Sequence, residues 1–421
     1  MTNRLIIFED GAFADFHPLT LSRPVFELRC GAWTLWERIA RAFAGYEVSF
    51  SCRAQLAGII GLRTGKMVNG LDYRPGDRLV FVNGRLRLGE KLSRELQTAT
   101  ANRIYTQGPV TAAIVITEPL KELPLQLVSS SGTTAPSSLG VEAEIADGTF
   151  DFFEHLWDLV DQNGNQIGLD FQALGAGGDF GRMAKEARID TGAVIQGIEN
   201  FFIAPRAEIG PGAVIDCRRG AVIVDSDAVV GPLSFIEGPC YIGPGTKIFR
   251  GNIREGCSFG PDCRVGGEVE ESIFQGYTNK YHDGFLGHAY LGSWVNLGAM
   301  TTNSDLKNTY QSITVSVGGR KIDTGLSKVG SFIGDHSKTG IGTLLNTGVS
   351  IGFSCNIFGG KLVTSREVPS FSWGDESGYD IYKLEKAMEV ARIVMSRRGV
   401  PFTSFDADLF QAIFAHTTAD R

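Results

Sequence analysis

Few side chains in this sequence have both the type and the setting to do chemistry. His282 lies near the start of NKYHDGFLGHAYLGSWVNLGAMTTN, Asn279 to Asn303. An imidazole titrating near neutrality suits proton abstraction from a nucleophile, so His282 is read as a general base. His288 follows six residues later and His336 lies farther on. A zinc centre would need three imidazoles to converge, and residues six apart point off different faces of the element read below; metal ligands stay undefined. The cysteines, Cys30, Cys52, Cys217, Cys240, Cys257, Cys263 and Cys355, are odd in number and form no CxxC pair, so neither a disulfide framework nor a zinc ribbon is indicated. Near the N-terminus the apolar run Arg4–Phe8 is followed at once by Glu9, Asp10 and Gly11. Buried parallel strands look like this, with loops at their carboxyl ends that gather ligand groups.

The element that positions His282 has a period of six. Small or apolar residues recur at Phe285, Leu291 and Leu297, the latter two followed by Gly292 and Gly298. The same step links Ile203, Ile209 and Ile215, then Val230, Ile236, Ile242 and Ile248. After a one-residue slip come Phe259 and Val265, and Ile333, Thr339, Leu345, Ile351, Ile357 and Val363 close the series. Six is neither the helical 3.6 nor the strand 2; it is the hexapeptide β-helix, in which three hexads make a coil of about 18 residues around one aliphatic core. The 53 glycines crowd into this half, as its recurring turns require.

The first half alternates strand and helix patterns, which predicts an α/β sheet. Strands are expected at Arg4–Phe8, Glu47–Ser51, Arg78–Val82 and Ala112–Ile116, with helices at Trp33–Phe43, Lys91–Thr100 and Phe150–Val160. Ser129–Ser138 reads as an exposed loop, and the Gly- and Asn-rich stretch Gln162–Gly181 as the domain boundary. The excursion Ser304–Lys328 breaks the six-fold step; its SITVSVGGRKI predicts a hairpin with a Gly-Gly turn, in a segment expected to be a binding loop or lid. Helix spacing at Ile381–Met395 and Asp406–His416 predicts a helical tail that caps the solenoid. The expected division is 1–175, an α/β domain; 189–368, a left-handed parallel β-helix of hexapeptide repeats; and 369–421, a helical C-terminal tail.

The stretch KYHDGFLGHAYLGSWVNLGA resembles the acetyltransferase motif of the bifunctional N-acetylglucosamine-1-phosphate uridylyltransferases and of related archaeal sugar-1-phosphate nucleotidylyltransferases. His-x-x-Tyr-x-Gly followed by Val-Asn-x-Gly-Ala is met by His282, Phe285, Gly287, Val295, Asn296, Gly298 and Ala299, with Phe285 in the tyrosine's place. A family phosphate-binding lysine falls at Glu270, which reverses its charge. The resemblance implies that His282 deprotonates a sugar amine for attack on acetyl-CoA. It implies substrate-binding roles for Asn296, Arg250, Asn303 and Lys307, with Lys280 and Lys307 available to make up for the lost lysine. The N-terminal half resembles the sugar nucleotidylyltransferases more loosely, placing a nucleotide or sugar-phosphate site at Gly11, Arg23, Gly31 and Asn83. The Gly-Thr-Arg of that family is absent and its metal-holding aspartate is replaced in Asn83-Gly84-Arg85, leaving Asp10, Asp15, Asp72 or Asp158 to bind Mg²⁺. The stretches LTLSRPV, HDGFLGH, NSDLKN, GDHSKTGI and PSFSWG resemble a divergent fused branch of the same family.

The implied function is a transferase that makes an activated N-acetylated sugar from a sugar phosphate, a nucleoside triphosphate and acetyl-CoA, working as a homotrimer. Two alternatives stay open: a non-catalytic nucleotide-sugar-binding or assembly subunit, and an acyltransferase with a degenerate N-terminal domain. A net charge of −7 gives no electrostatic case for nucleic acid or an anionic membrane. No run approaches 18 apolar residues and no basic leader opens the chain, so a cytoplasmic location is expected.

Overall fold

The computed structural model describes residues 2–70, 72–117, 143–175, 184 and 186–420. The expected loop Ser129–Ser138 lies outside them.

The N-terminal sheet runs Met67–Val68, Glu47–Ser51, Asn3–Phe8, Arg78–Asn83, Val110–Ile116, Arg103–Gln107, Glu144–Asp147. The first four strands are parallel, and Val110–Ile116 pairs antiparallel with both of its neighbours. Asn3–Phe8 is central and buried on both faces. Leu5 and Ile7 enter one apolar cluster and Ile6 and Phe8 the other, as the alternation of strand side chains requires. The helix expected from Trp33 starts at Leu35, because Thr34 and Glu37 form a reciprocal capping box. Within the stretch expected to hold the domain boundary, Gln162–Gly181, the residues Asn163–Gly175 form a helix. Its buried face explains the helix: Asn163 donates to the Gly256 carbonyl at 2.8 Å, and Asp170 accepts from the Ala32 amide at 2.7 Å.

From Arg188 the chain winds as a three-sided parallel β-helix. Ile333 pairs with Ile351, Thr339 with Ile357 and Leu345 with Val363, the expected step of one coil. The aliphatic hexad positions form one continuous buried core, into which Leu286 and not Phe285 points; Val269 and Leu286 are register partners. Two polar residues also take inward positions. Lys280 pairs with Val265 and Asn303 with Leu345, and both are buried.

The excursion forms the expected hairpin, Thr314–Val317 with Arg320–Asp323, turning through Gly318 and Gly319 at φ +55° and +76°. It is a strut between the two halves. Ile313, Val315 and Val317 pack with Phe16, Leu19 and Trp157, and Arg320 pairs with Asp15. The tail helices Leu384–Ser396 and Ser404–His416 pack beside the prism, against Phe353 and Phe371 and against the N-terminal core. The cap that the solenoid needs is a ribbon, Ser372–Asp375 with Gly378–Ile381, whose Tyr379 packs on the prism core.

Candidate active site

His282 stands on an exposed ridge between two hollows of one prism face. The first, about 510 Å³, is lined by Asn296, Tyr281, Arg264 and, from the tail, Arg398. The second, about 620 Å³, is lined by Arg250, Asp283, Leu233 and Met300. The ring of His282 meets Tyr281 edge-on at 4.9 Å, and Tyr281 packs on Phe249 at 4.5 Å. The imidazole is thus steered by aromatic contact while staying open to a substrate.

Arg250 reaches the second hollow through a β-bulge. The register between Lys247–Ile253 and Arg264–Glu270 shifts between Phe249 and Gly251, and Arg250 takes φ +44° as the extra residue. Bulges of this kind re-aim a side chain at the cost of one ladder position. Asn296 is exposed and accepts from the Asn279 side chain at 3.2 Å; Asn279 in turn accepts from Arg398 at 2.8 Å. Sequence reasoning missed Arg264 and Arg398. The first follows an aliphatic hexad rhythm without a motif, and the second lies in a tail whose docking no spacing announced.

The other expected substrate ligands are not brought to this cleft. Lys280 sits inside the prism, its ammonium donating to the carbonyl of His282 at 2.6 Å and of Gly266 at 3.3 Å. Burial lowers its pKa to about 8. Asn303 clasps the backbone of Gly287, accepting from its N–H at 2.8 Å and donating to its carbonyl at 2.9 Å. Lys307 donates to the Ser312 carbonyl at 2.5 Å, at the foot of the excursion. Lys280 and Asn303 therefore shape the loop that carries His282 from behind.

Glu270 is buried and bonded to Arg254 at 2.6 Å and to Lys328 at 2.8 Å. These two cations neutralise the carboxylate that stands where the resemblance expects a lysine. His288 pairs with Asp305 at 2.8 Å beside them. Ligand atoms of Glu270, His288 and Asp305 lie within 4.8 Å of one another. With both Glu270 oxygens on cations and Asp305 on His288, this is a closed ion-pair network that fastens the excursion to the prism. His282, His288 and His336 occupy three separate settings in the chain, so they build no common metal site within it. The cysteines are all free and, apart from Cys52, buried; burial pushes Cys263 up to about 11 and Cys30 up to about 12, which leaves them unreactive.

The expected N-terminal site residues serve other partners. Arg23 is buried in an ion pair with Asp335 of the prism, and Ser22 donates to the same carboxylate at 2.8 Å. Gly31 takes φ +78° beneath the helix Asn163–Gly175, where a Cβ would come 2.4 Å from an Asp170 oxygen. Asn83 and Arg85 both donate to Asp10 at 2.9 Å. Gly11 starts a 3-10 turn whose N-cap is Asp10. Asp15 pairs with Arg320, Asp72 lies 3.9 Å from Arg4, and Asp158 caps a helix through the amides of Glu154 and His155. These four carboxylates do not converge, and the set does not fit a Mg²⁺ ion, which needs octahedral oxygen ligands.

Residues 5–178 match the family described as sugar nucleotidyl transferase. A bifunctional sugar-1-phosphate nucleotidylyltransferase/acetyltransferase of Sulfurisphaera tokodaii is 33% identical over 157 residues, 34% of this chain and 37% of that protein. The bifunctional protein GlmU of a Picosynechococcus species is 31% identical over 175 residues, 39% of this chain and 32% of that one. The chain thus spans about a third of the length of these relatives. A UDP-N-acetylglucosamine acyltransferase structure from Campylobacter jejuni covers 54% of this chain and 83% of its own at 13% identity, with a TM-score of 0.25, too low to carry an argument. The resemblance read from the sequence stands: the chain is similar to bifunctional sugar nucleotidylyltransferase/acetyltransferases.

Proposed function

We propose that the chain is a transferase that makes an activated N-acetylated sugar, with acetyl transfer from acetyl-CoA to an amino sugar-1-phosphate on the β-helix and nucleotidyl transfer from a nucleoside triphosphate in the N-terminal half. The observation that carries the first activity is the exposed His282 between two hollows, with Asn296 in one and Arg250 in the other. His282 takes the proton of the attacking amine, which forms the new C–N bond as the thioester C–S bond breaks and the thiolate leaves. Arg250 offers a guanidinium fork to the sugar phosphate. Arg264 and Arg398 give the neighbouring hollow the positive charge that a phosphorylated cosubstrate requires. Leu233, Met300 and Ile341 are large, apolar and exposed on the rims. They support a homotrimer in which the next subunit closes each cleft. Among the described residues no helix is long and apolar enough to cross a membrane; a cytoplasmic site of action is part of this proposal.

The nucleotidyl activity is supported by the match over residues 5–178 and by the names of the relatives. The matched family uses Mg²⁺; since Asp10, Asp15, Asp72 and Asp158 do not fit that ion, no step is routed through it. A second reading, an acyltransferase whose N-terminal half has become a docking domain, is favoured by the burial of Arg23 against Asp335. Purified protein is incubated with acetyl-CoA and amino sugar-1-phosphates, and separately with UTP, dTTP, CTP or GTP plus sugar-1-phosphates and Mg²⁺. N-acetylated product supports the first activity and released pyrophosphate the second. Pyrophosphate from none of the four nucleotides, with acetylation intact, selects the docking-domain reading; no acetylation of any amino sugar-1-phosphate overturns the proposal for the prism.

A further inference from the structure

A second cavity, of about 470 Å³, lies where the N-terminal half, the prism and the tail helices meet. Its wall on the prism side is one corner of successive coils. The Trp294 amide bonds to the Gly276 carbonyl and the His336 amide to that of Ser293, which sets Tyr277, Trp294 and His336 one above another. The Tyr277 and Trp294 rings stack at 4.3 Å and 13°, and Trp294 and His336 are near-parallel at 6.2 Å. All three take left-handed backbone angles, φ +55°, +63° and +62°. The same corner holds Asp262 and Ser354 in the flanking coils, at φ +56° and +53°. Bulky side chains at such angles are uncommon and persist where the surroundings impose them. The polar lining is equally specific. His336 Nδ1, Arg23 Nε and Arg29 Nε are buried without a hydrogen-bond partner among the described residues. Arg23 has Asp335, whereas Arg29, only 7% exposed, has no carboxylate within 4 Å among those residues; one of its terminal nitrogens donates to the Ala32 carbonyl at 2.5 Å and its guanidinium lies over the Tyr241 ring at 5.5 Å. A buried guanidinium without a counter-charge is costly unless something meets it. Burial also lowers His336 to about 3, so that its ring is neutral and flat against Trp294.

We propose that this cavity binds a planar aromatic ligand carrying an anionic oxygen group, its ring against the Tyr277–Trp294–His336 ladder and its anion toward Arg29. The volume matches ligand pockets of ordinary size, and one such molecule extends the ladder with a further π-face and offers acceptors to the unpaired N–H groups. The site shares no residue with the His282 cleft and is independent of the activity proposed there. Nucleoside monophosphates and aromatic carboxylates both have this chemistry. The full chain is titrated calorimetrically with AMP, UMP and anthranilate, without acetyl-CoA or sugar phosphate, and a soaked crystal locates any bound probe. Binding of AMP or UMP alone assigns a nucleotide, and of anthranilate alone an aromatic acid; binding of both supports the shared chemistry. In each case Tyr277→Ala, a half-buried change, weakens affinity about tenfold or more while the melting transition is kept. Arg29→Gln does the same for the anionic probes. No binding of any probe at about 1 mM, a probe located elsewhere, or binding indifferent to Tyr277→Ala and Arg29→Gln overturns the proposal.

Discussion

Removing the Arg23 side chain separates the two uses to which the N-terminal loop could be put. The guanidinium and its partner Asp335 are 4% and 1% exposed, and Asp335 also accepts from Ser22 at 2.8 Å and from the Ser293 amide at 2.8 Å. Breaking a buried pair on one side leaves a charge without compensation and costs about 3–5 kcal/mol. Arg23→Met should therefore destabilise the chain by about that amount, and Asp335→Asn by a similar amount. The double variant, in which neither charge remains, should cost less than the sum by about 2 kcal/mol. Because two halves meet here, unfolding need not be two-state, so the cycle is best read from denaturant curves followed by two probes. The pairing holds Asp335 below the usual carboxylate range despite the opposing effect of burial. Its contribution is present above the unfolded pKa near 3.9 and is lost as pH falls through the lower folded value. Stability unchanged in Arg23→Met, together with abolished nucleotidyl transfer, would refute the reasoning and return Arg23 to a substrate site.

Three other outcomes follow from the same geometry. Lys280, lowered to about 8 from 10.5 by burial, should make stability rise with pH between about 8 and 10.5, where the unfolded chain holds the extra proton; Lys280→Met should flatten that slope in denaturant titrations at several pH values. Leu286→Ala removes a fully buried prism side chain and should cost about 2–5 kcal/mol, whereas Phe285→Ala, outside the core, should cost clearly less by thermal unfolding. Arg250→Ala should raise the KM for the phosphorylated acceptor about tenfold or more with the fold intact, and an acceptor without phosphate should be indifferent to the change.

The prism was legible because each coil repeats the same demand: an aliphatic side chain at a fixed step, with Gly or Asx at the corners. The one-residue slip after Ile248 is visible as well: Ile248 and Ile253, both in the prism core, stand five apart and not six. Period alone did not say which of two adjacent residues points inward. Phe285 was counted in the core where Leu286 belongs, and Lys280 and Asn303 were assigned to substrate although they occupy inward positions. A polar residue inside a repeat is indistinguishable from one on its surface until its backbone partners are seen. The N-terminal strands followed from alternation, but the burial of the loop around Arg23 depends on contacts more than 300 positions away, with Asp335. No local pattern records such a contact. The helix Asn163–Gly175 is a similar case: its Gly and Asn content suggested a linker, and tertiary hydrogen bonds outweighed that propensity.

The central claim is that His282 is the base of an acetyl transfer. The most direct measurement is kcat for acetylation of an amino sugar-1-phosphate by the wild type and by His282→Ala across pH. The account predicts a loss of about 10²–10⁴-fold at every pH and little change in melting, since the side chain is exposed. An unchanged kcat would contradict it.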